Sequence, residues 1–495
     1  MARIVVVGAG VGGLAVAARL AVTGHQVTVL ERADTVGGKL GRYTHDTASG
    51  PFHFDTGPSL LTLPGIFHEL FEATGAKLDE YLDLVPLDPI VRHVFPGGGP
   101  VLDSCADPTE FAARIGAVLG DRAATDWQRL WRRAGRVWRA SEHDILRRRV
   151  DSPRDLTRLA WRLGDLAAIR PGQSLRGLGR AHLSDPRLRM LLDRYATYTG
   201  ADPRRAPAAL VAVPYAELAF GGWYLRGGLG SLADALLSRC LDLGVVIRTG
   251  ATVTRIDAAG GRAHGVRVAG QAAPVPADVV VANVDALTVY RDLLPDPRRL
   301  AGLTDRSLAG FVLLLGVRGN SGLAHHTVFF PRDYDAEFDA IFGAPGRGVR
   351  ARPATDPTVF VTAADDPAVR PTGHEAWFVL VNAARHGTAP GAVDWRRPGL
   401  AAAYADRILD VLAERGMDVR DRLVFREIRT PADLADSTGA PGGTIYGTAG
   451  GLLRPANRGA AHGLWLVGGS SHPGGGLPMV ALSAQIVADE IGPAW

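Results

Sequence analysis

Two glycine-rich turns at opposite ends of the chain hold the residues best suited to chemistry. Residues 4–13 read Ile-Val-Val-Val-Gly-Ala-Gly-Val-Gly-Gly, and residues 464–478 read Leu-Trp-Leu-Val-Gly-Gly-Ser-Ser-His-Pro-Gly-Gly-Gly-Leu-Pro. Each is a short apolar run that enters a backbone-exposing turn and continues into an Ala/Leu-rich stretch. That order aims the free N–H groups of a helix start at an anion. Two such sites about 460 residues apart imply one long, charged cofactor held from both ends. A flavin dinucleotide has that shape.

At the first turn, Gly8, Gly10 and Gly13 occupy the G-x-G-x-x-G positions, with Gly12 beside them. Their expected roles are a tight turn, close approach of a diphosphate, and close helix–strand packing. The spacing predicts a strand over Ile4–Val7 and a helix through Leu14, Ala15, Ala18 and Leu20 that stops near Gly24. A second strand, Gln26–Leu30, delivers Glu31, a carboxylate placed to accept from ribose hydroxyls. An ordinary glycine-rich strand–helix turn would not require that acid in register.

The following residues separate flavin from nicotinamide. Glu31 and Arg32 lead into Gly37-Gly38-Lys39-Leu40-Gly41-Arg42, then into Phe54-Asp55-Thr56-Gly57-Pro58-Ser59. A second glycine–cation loop suits a cofactor that extends toward a second domain. Cofactor contacts are therefore expected from Gly8, Gly10, Gly12, Gly13, Glu31, Arg32, Gly38, Lys39, Arg42, Gly57, Pro58 and Ser59. Gly468, Gly469, Gly476, Leu477, Pro478 and Met479 are expected at the far end, where a helix from about Pro478 to Ile491 turns its positive end to the ring. Solvated surface charge is the alternative for Lys39 and Arg42, although Lys39 is one of only two lysines. Another glycine-rich turn at 227–230 lacks a ribose acid at the needed spacing.

With these motifs in place, the chain resembles the phytoene desaturase family of carotenoid-modifying flavoenzymes over nearly its whole length. The resemblance rests on G-A-G-V-G-G-L, V-L-E-R, G-G-K-L-G-R and F-D-T-G-P-S-L-L. Tyr198-Thr199-Gly200, Gly222 to Gly228, His325 to Phe330, Trp377 to Asn382, Leu453 to Arg458 and the block Gly468 to Ala484 extend it. The wording of that last block looks more like the branch with 3,4-desaturases and terminal-carbon oxidases. The resemblance implies FAD and a long apolar polyene as substrate, with oxygen or a quinone taking the electrons. Hydride would pass from an allylic carbon to the flavin, forming a C=C bond. An oxidase, isomerase or saturase on the same scaffold, or a flavin-free prenyl-lipid carrier, are the alternatives. It further implies that Val253, in Thr252-Val253-Thr254, meets the adenine. Tyr198, Arg205 and Glu217 fall in the segment most similar to substrate-channel sequence, where packing or ion pairing is the plainer role. His472 is either a catalytic group at the flavin edge or a hydrogen-bonding member of its loop.

These residues need a framework of α/β class: a Rossmann-type FAD-binding domain of glutathione-reductase/amine-oxidase type, a mixed-sheet substrate domain and a helical membrane-facing subdomain. The expected cofactor domain joins 1–70, 228–290 and 440–495. The substrate domain takes 71–227 and 291–439, with a basic helical part over about 105–195. Within the cofactor domain, a helix to about Arg239 and a strand pair, Val245–Arg248 and Ala251–Ile256, are expected, then a buried strand over Ala277–Asn283. Runs at Phe311–Val317, Thr327–Phe330, Val359–Thr362 and Trp377–Val381 read as the mixed sheet.

A chain of 495 residues is too long for one core. Two cysteines give neither a disulfide framework nor a metal set, and His325-His326 has no third ligand at recognisable spacing. No apolar run reaches the roughly 18 residues of a membrane span, and mean hydropathy is +0.05. The first strand leaves no room for a secretory signal, so a cytoplasmic location is expected. Net charge is only +4, yet Trp127 to Met190 holds sixteen arginines against six acids. Four tryptophans, Trp127, Trp131, Trp138 and Trp161, share that segment. Arginine-rich helices with interfacial aromatics fit peripheral adsorption to the anionic inner face of a membrane. A solvated helical face is the alternative, and no nucleic-acid motif accompanies the charge.

Overall fold

The β-branched run near the start of the chain becomes the middle strand, Arg3–Val7, of a five-stranded parallel sheet. In the computed structural model, which describes residues 1–156, 163–448 and 454–494, this strand lies between Gln26–Leu30 and Val279–Ala282. Val246–Arg248 and Leu464–Leu466 take the edges. Val7 pairs with both Leu30 and Ala282, and Ala282 pairs with Leu466. That register brings Gly8, Glu31, Asn283 and the turn at Gly468 to one carboxyl edge, where open α/β sheets bind ligands.

Behind this edge, helix Val11–Val22 packs between Ser231–Asp242 and Leu477–Ile491. Thr23 and Gly24 end the first helix, Gly24 with φ +91°. The expected strand pair at 245–256 is divided instead. Val246–Arg248 joins the parallel sheet, whereas Val253–Ala259 pairs with Arg262–Val268 in a separate three-stranded sheet. Adjacent strands in sequence thus serve different cores.

The apolar runs of the second half form a seven-stranded mixed sheet. Its order is Leu423–Arg429, Ala309–Arg318, His374–Ala383, Val359–Ala363, His326–Phe329, Arg92–Val94 and Val101–Asp103. Side chains alternate between its faces. Leu313, Leu315, Trp377 and Val379 pack toward helix Leu400–Glu414. Val312, Leu314, Ala376 and Phe378 join Phe52 and Phe54 on the other side.

Among the described residues, helices dominate 108–156 and 163–194, and the longest there is Asp121–Ser141. Its Trp127, Leu130, Ala134, Val137 and Trp138 are buried, and Trp131 rests on Tyr215 with ring centroids 4.6 Å apart. Trp127 and Trp138 are therefore core residues rather than the interfacial aromatics expected; Trp161 lies outside the described residues. Arg133 also turns inward, donating to the carbonyls of Ala167 and Ala168 at the end of helix Leu163–Ile169. Arg129, Arg132, Arg136 and Arg139 stay exposed. Among the described residues no helix is long and apolar enough to cross a membrane.

Glycine at position 13 has a steric cause: a Cβ there would lie 2.0 Å from the carbonyl oxygen of Gly8. Gly13→Ala is expected to cost about 3 kcal/mol, as overpacking does, and to lower the thermal midpoint. Gly65→Ala, in a helix with nothing within 4 Å of the new methyl, is expected not to lower it. Differential scanning calorimetry of the pair checks this; equal midpoints would contradict the packing argument.

Candidate active site

The N-terminal turn is built from backbone. Gly8 leaves the strand with φ +98°, a left-handed conformation that favours glycine, and its N–H donates to Leu30 O at 2.8 Å. Gly10 caps helix Val11–Val22. Glu31 is 8% exposed; its Oε2 accepts from the Ala9 N–H at 2.7 Å and its Oε1 from the Ala33 N–H at 2.9 Å. The carboxylate therefore clamps the turn from across the sheet edge and retains lone pairs for ribose hydroxyls.

The C-terminal turn meets this one at Asn283, a residue the sequence reading placed only at the end of a buried strand. Asn283 Nδ2 donates to Gly8 O at 3.3 Å. A Cβ on Gly12 would come within 2.7 Å of Asn283 Oδ1, and one on Gly468 within 2.6 Å. Both glycines are thus required by one amide. Gly469 follows, and the Gly468 N–H donates to Ser483 Oγ at 3.2 Å. Gly476 caps the helix, which begins at Leu477, one residue before the expected Pro478. Pro478 stays in the first turn, where a missing N–H leaves no intrahelical bond unmade. Leu477 is buried and Met479 packs beside it, on the core that holds helix Val11–Val22.

The structure bears on His472, for which two roles were open, and corrects Arg32. His472 is 2% exposed, and its Nε2 lies 2.9 Å from Ile145 O and 2.8 Å from Arg148 O. Burial lowers its pKa, and its ring ties the C-terminal loop to the turn at Glu142–Leu146. Of its two expected roles, these bonds are those of a hydrogen-bonding member of the loop. Arg32 points outward, donating to Asp436 O and Ser437 O at 2.7 and 2.8 Å. It caps helix Pro431–Thr438 rather than a cofactor.

The second loop divides. Gly38 abuts Gly10 across the turn, and Gly57 sits so close to Lys39 O that a Cβ would be 1.9 Å away. Arg42 pairs with Asp234 at 2.5 Å on the surface. Pro58 is half-buried, and Ser59 Oγ accepts from the Thr362 hydroxyl at 2.9 Å. Val253, half-buried, pairs with Val268 in the three-stranded sheet. Arg205 forms an exposed pair with Asp305 at 2.8 Å. Leu453 lies outside the described residues. Among the described residues no cluster of histidine, cysteine and carboxylate groups suits a metal.

Lys39 lies beside the segment at 444–445. Its Nζ donates to Thr444 O at 3.0 Å and Ile445 O at 2.6 Å. The residue remains solvent-accessible although protein surrounds its ammonium. Burial lowers its pKa to about 8, against the pull of Asp285 and with help from Arg306. Arg306, 6% exposed, donates to Asp285 Oδ2 at 2.7 Å and Thr444 Oγ1 at 3.0 Å, while its Nε and Nη1 have no partner. Unpartnered buried guanidinium donors near the Lys39 ammonium fit an anionic group with several acceptor oxygens. FAD, with its diphosphate and ring carbonyls, fits this donor set. The sequence gives no local sign of Asp285 or Arg306 because their role depends on Thr444, more than 130 residues onward.

Beyond Ser59 a cleft of about 280 Å³ opens beneath the seven-stranded sheet. Phe54, Tyr43, Val369, Ala376 and Phe378 line it, with Ser59 and Thr362 also on its wall. Arg42, His53 and Asp55 are also on its wall, so the cleft reaches the loop expected to carry cofactor residues.

The description "flavin containing amine oxidoreductase" matches residues 11–309. The chain belongs to this family. Across 99% of its length it is 34% identical to a 4,4'-diapolycopene oxygenase of Methylomonas sp, covering 98% of that protein. It is 35% identical to a hydroxyneurosporene desaturase of Cereibacter sphaeroides, with 99% and 97% covered. The fold matches an oxidoreductase from Methanosarcina mazei with TM-score 0.64 at 18% identity, covering 98% of this chain and 100% of that one. The chain is thus a carotenoid desaturase-like FAD oxidoreductase, and the carrier alternative is set aside.

FAD affinity is expected to be full below pH 8 and to fall as the pH rises through it. An anionic ligand favours charged Lys39, so binding takes up a proton wherever the free ammonium has lost it. Fluorescence titration of the apoprotein from pH 7 to 9.5 measures this; Lys39→Arg should flatten the curve, and an unchanged slope in that variant would contradict the assignment.

Proposed function

We propose that the protein desaturates a carotenoid or related long polyprenoid. The observation that carries this reading is the cleft whose wall includes Phe54, Val369, Ala376 and Phe378, with Arg42, Asp55 and Ser59 of the glycine-rich loops also on it. An unactivated hydrocarbon offers no charge to grip, so the chain's task is to bury it, orient it and exclude water. Bound FAD supplies the hydride acceptor that no side chain can provide. The helix start at Gly476–Pro478 stabilises negative charge that develops nearby. The allylic cation character is shared along the conjugated chain, so a weak proton acceptor suffices. Oxygen or a quinone then takes the electrons.

The name of the Methylomonas relative favours a second reading, oxidation of a terminal carbon. The two differ in product mass: desaturation removes two hydrogens, whereas terminal oxidation adds oxygen. Incubation of the purified enzyme with liposomal phytoene, neurosporene and lycopene, followed by mass spectrometry, is expected to show loss of two hydrogens per step. Oxygenated products alone would contradict desaturation.

We also infer that the protein works at the inner face of the membrane, where such substrates reside. Arg129, Arg132, Arg136 and Arg139 line one open surface groove of helix Asp121–Ser141, a cationic face suited to anionic lipid. Replacing all four by glutamine is expected to abolish co-sedimentation with anionic vesicles while leaving FAD content unchanged. Undiminished sedimentation would sink the membrane assignment.

A further inference from the structure

Of the phenylalanine, tyrosine and tryptophan side chains among the described residues, Phe220 alone is exposed. It is 44% exposed and ends helix Ala212–Phe220. A single apolar side chain at a surface needs no explanation; the company of this one does. The helix lies along the arginine-bearing helix Asp121–Ser141. Tyr215 packs on Trp131, and the Phe220 ring lies 5.6 Å from that of Trp138. Gly135 permits the approach, since a Cβ there would come within 2.9 Å of the Tyr215 ring. Trp131 and Tyr215 share the open groove of Arg129, Arg132, Arg136 and Arg139. The exposed ring therefore borders the cationic face.

The chain beyond Phe220 extends the apolar surface. Gly221, with φ +81°, turns it into strand Gly222–Leu225. Trp223 Nε1 donates back to Phe220 O at 3.0 Å. That bond satisfies the indole N–H and fixes the two aromatic residues side by side. The half-buried Trp223 lies on the wall of a second open groove with Pro64, Leu82 and Leu84. The acids on that wall are Asp83, paired with Arg226 at 2.7 Å, and Asp79, 3.9 Å from His68 Nε2.

Successive residues of a strand face opposite ways. Tyr224, next to Trp223, is on the wall of the cleft beneath the seven-stranded sheet. One strand thus stands between the outer aromatic surface and the cleft. Arginines by themselves hold a protein among lipid headgroups, whereas a long hydrocarbon lies below them. Interfacial binding strengthens when apolar area is buried beneath the headgroups as well.

We propose that Phe220 and Trp223 form an apolar foot that enters the acyl layer of an anionic bilayer while the arginine groove engages the headgroups. This rests on the membrane reading above and deepens it, from adsorption on the surface to insertion at two named residues. It places the acyl layer one strand away from the cleft.

The test uses the FAD-loaded full chain and vesicles of phosphatidylcholine with phosphatidylglycerol. A polarity-sensitive fluorophore is attached at Phe220→Cys and, as a control, at Val246→Cys on the exposed edge strand of the five-stranded sheet; the native Cys105 and Cys240 are buried. Vesicles are expected to shift the emission at position 220 to the blue, with quenching by acyl-chain nitroxides, and to leave position 246 unchanged. Phe220→Ser is expected to lower vesicle partitioning about tenfold at high salt, where the arginine attraction is screened. In the unsubstituted protein, acyl-brominated lipid is expected to quench part of the tryptophan emission. Absence of that quenching would overturn the proposal even if the variants do not fold. A label at 220 that stays in water while the protein sediments with vesicles would sink the foot and leave the arginine face standing. Failure of the wild type to sediment would sink both. A blue-shifted label without vesicles, growing with protein concentration, would show a second copy of the chain on this surface and overturn the proposal.

Discussion

A single amide holds this site together. Asn283 stands at the carboxyl end of strand Val279–Ala282, between the strands that lead into the two glycine turns. Its Nδ2 reaches Gly8 O, and its Oδ1 faces the places where Gly12 and Gly468 would carry a Cβ. The two turns can meet only because neither presents a side chain at that point. Parallel register supplies the rest, since it aligns the ends of strands that begin more than 450 residues apart. The cost of closing so long a loop is borne by a buried apolar core that both terminal helices share.

From that junction the cofactor path follows electrostatically. The start of the path is neutral backbone, organised by Glu31. Its middle is cationic, with Lys39 and Arg306 against the single carboxylate of Asp285. Its far end is the first turn of helix Leu477–Ile491. Past it lies the cleft lined by Tyr43, Phe54, Val369, Ala376 and Phe378, with Arg42 and Asp55 also on its wall. This alternation separates the two demands on the protein: anchoring a charged cofactor and enclosing an apolar chain.

What could be read in the sequence was whatever is local. Gly8, Gly13, Glu31 and the final helix lie in short segments whose spacing encodes their geometry, and the apolar runs of the mixed sheet show a strand's length and bounding turns. Asn283, Asp285 and Arg306 could not be read because they work through partners far along the chain. Arg32 was misplaced, and His472 takes the hydrogen-bonding one of its two open roles: position near a glycine loop says nothing of side-chain direction, and both turn to backbone carbonyls. Trp127 and Trp138 were legible but misread. With Leu130, Ala134 and Val137 they follow the buried stripe of helix Asp121–Ser141, and that periodicity outweighs their company of arginines.

The central claim is that one FAD molecule is held by both glycine turns together. Hydrogen–deuterium exchange of the protein with and without FAD measures it directly. FAD should slow exchange in residues 8–13 and 468–478 in parallel, with the same dependence on FAD concentration. Protection confined to one turn, or two turns protected at different concentrations, would contradict the account.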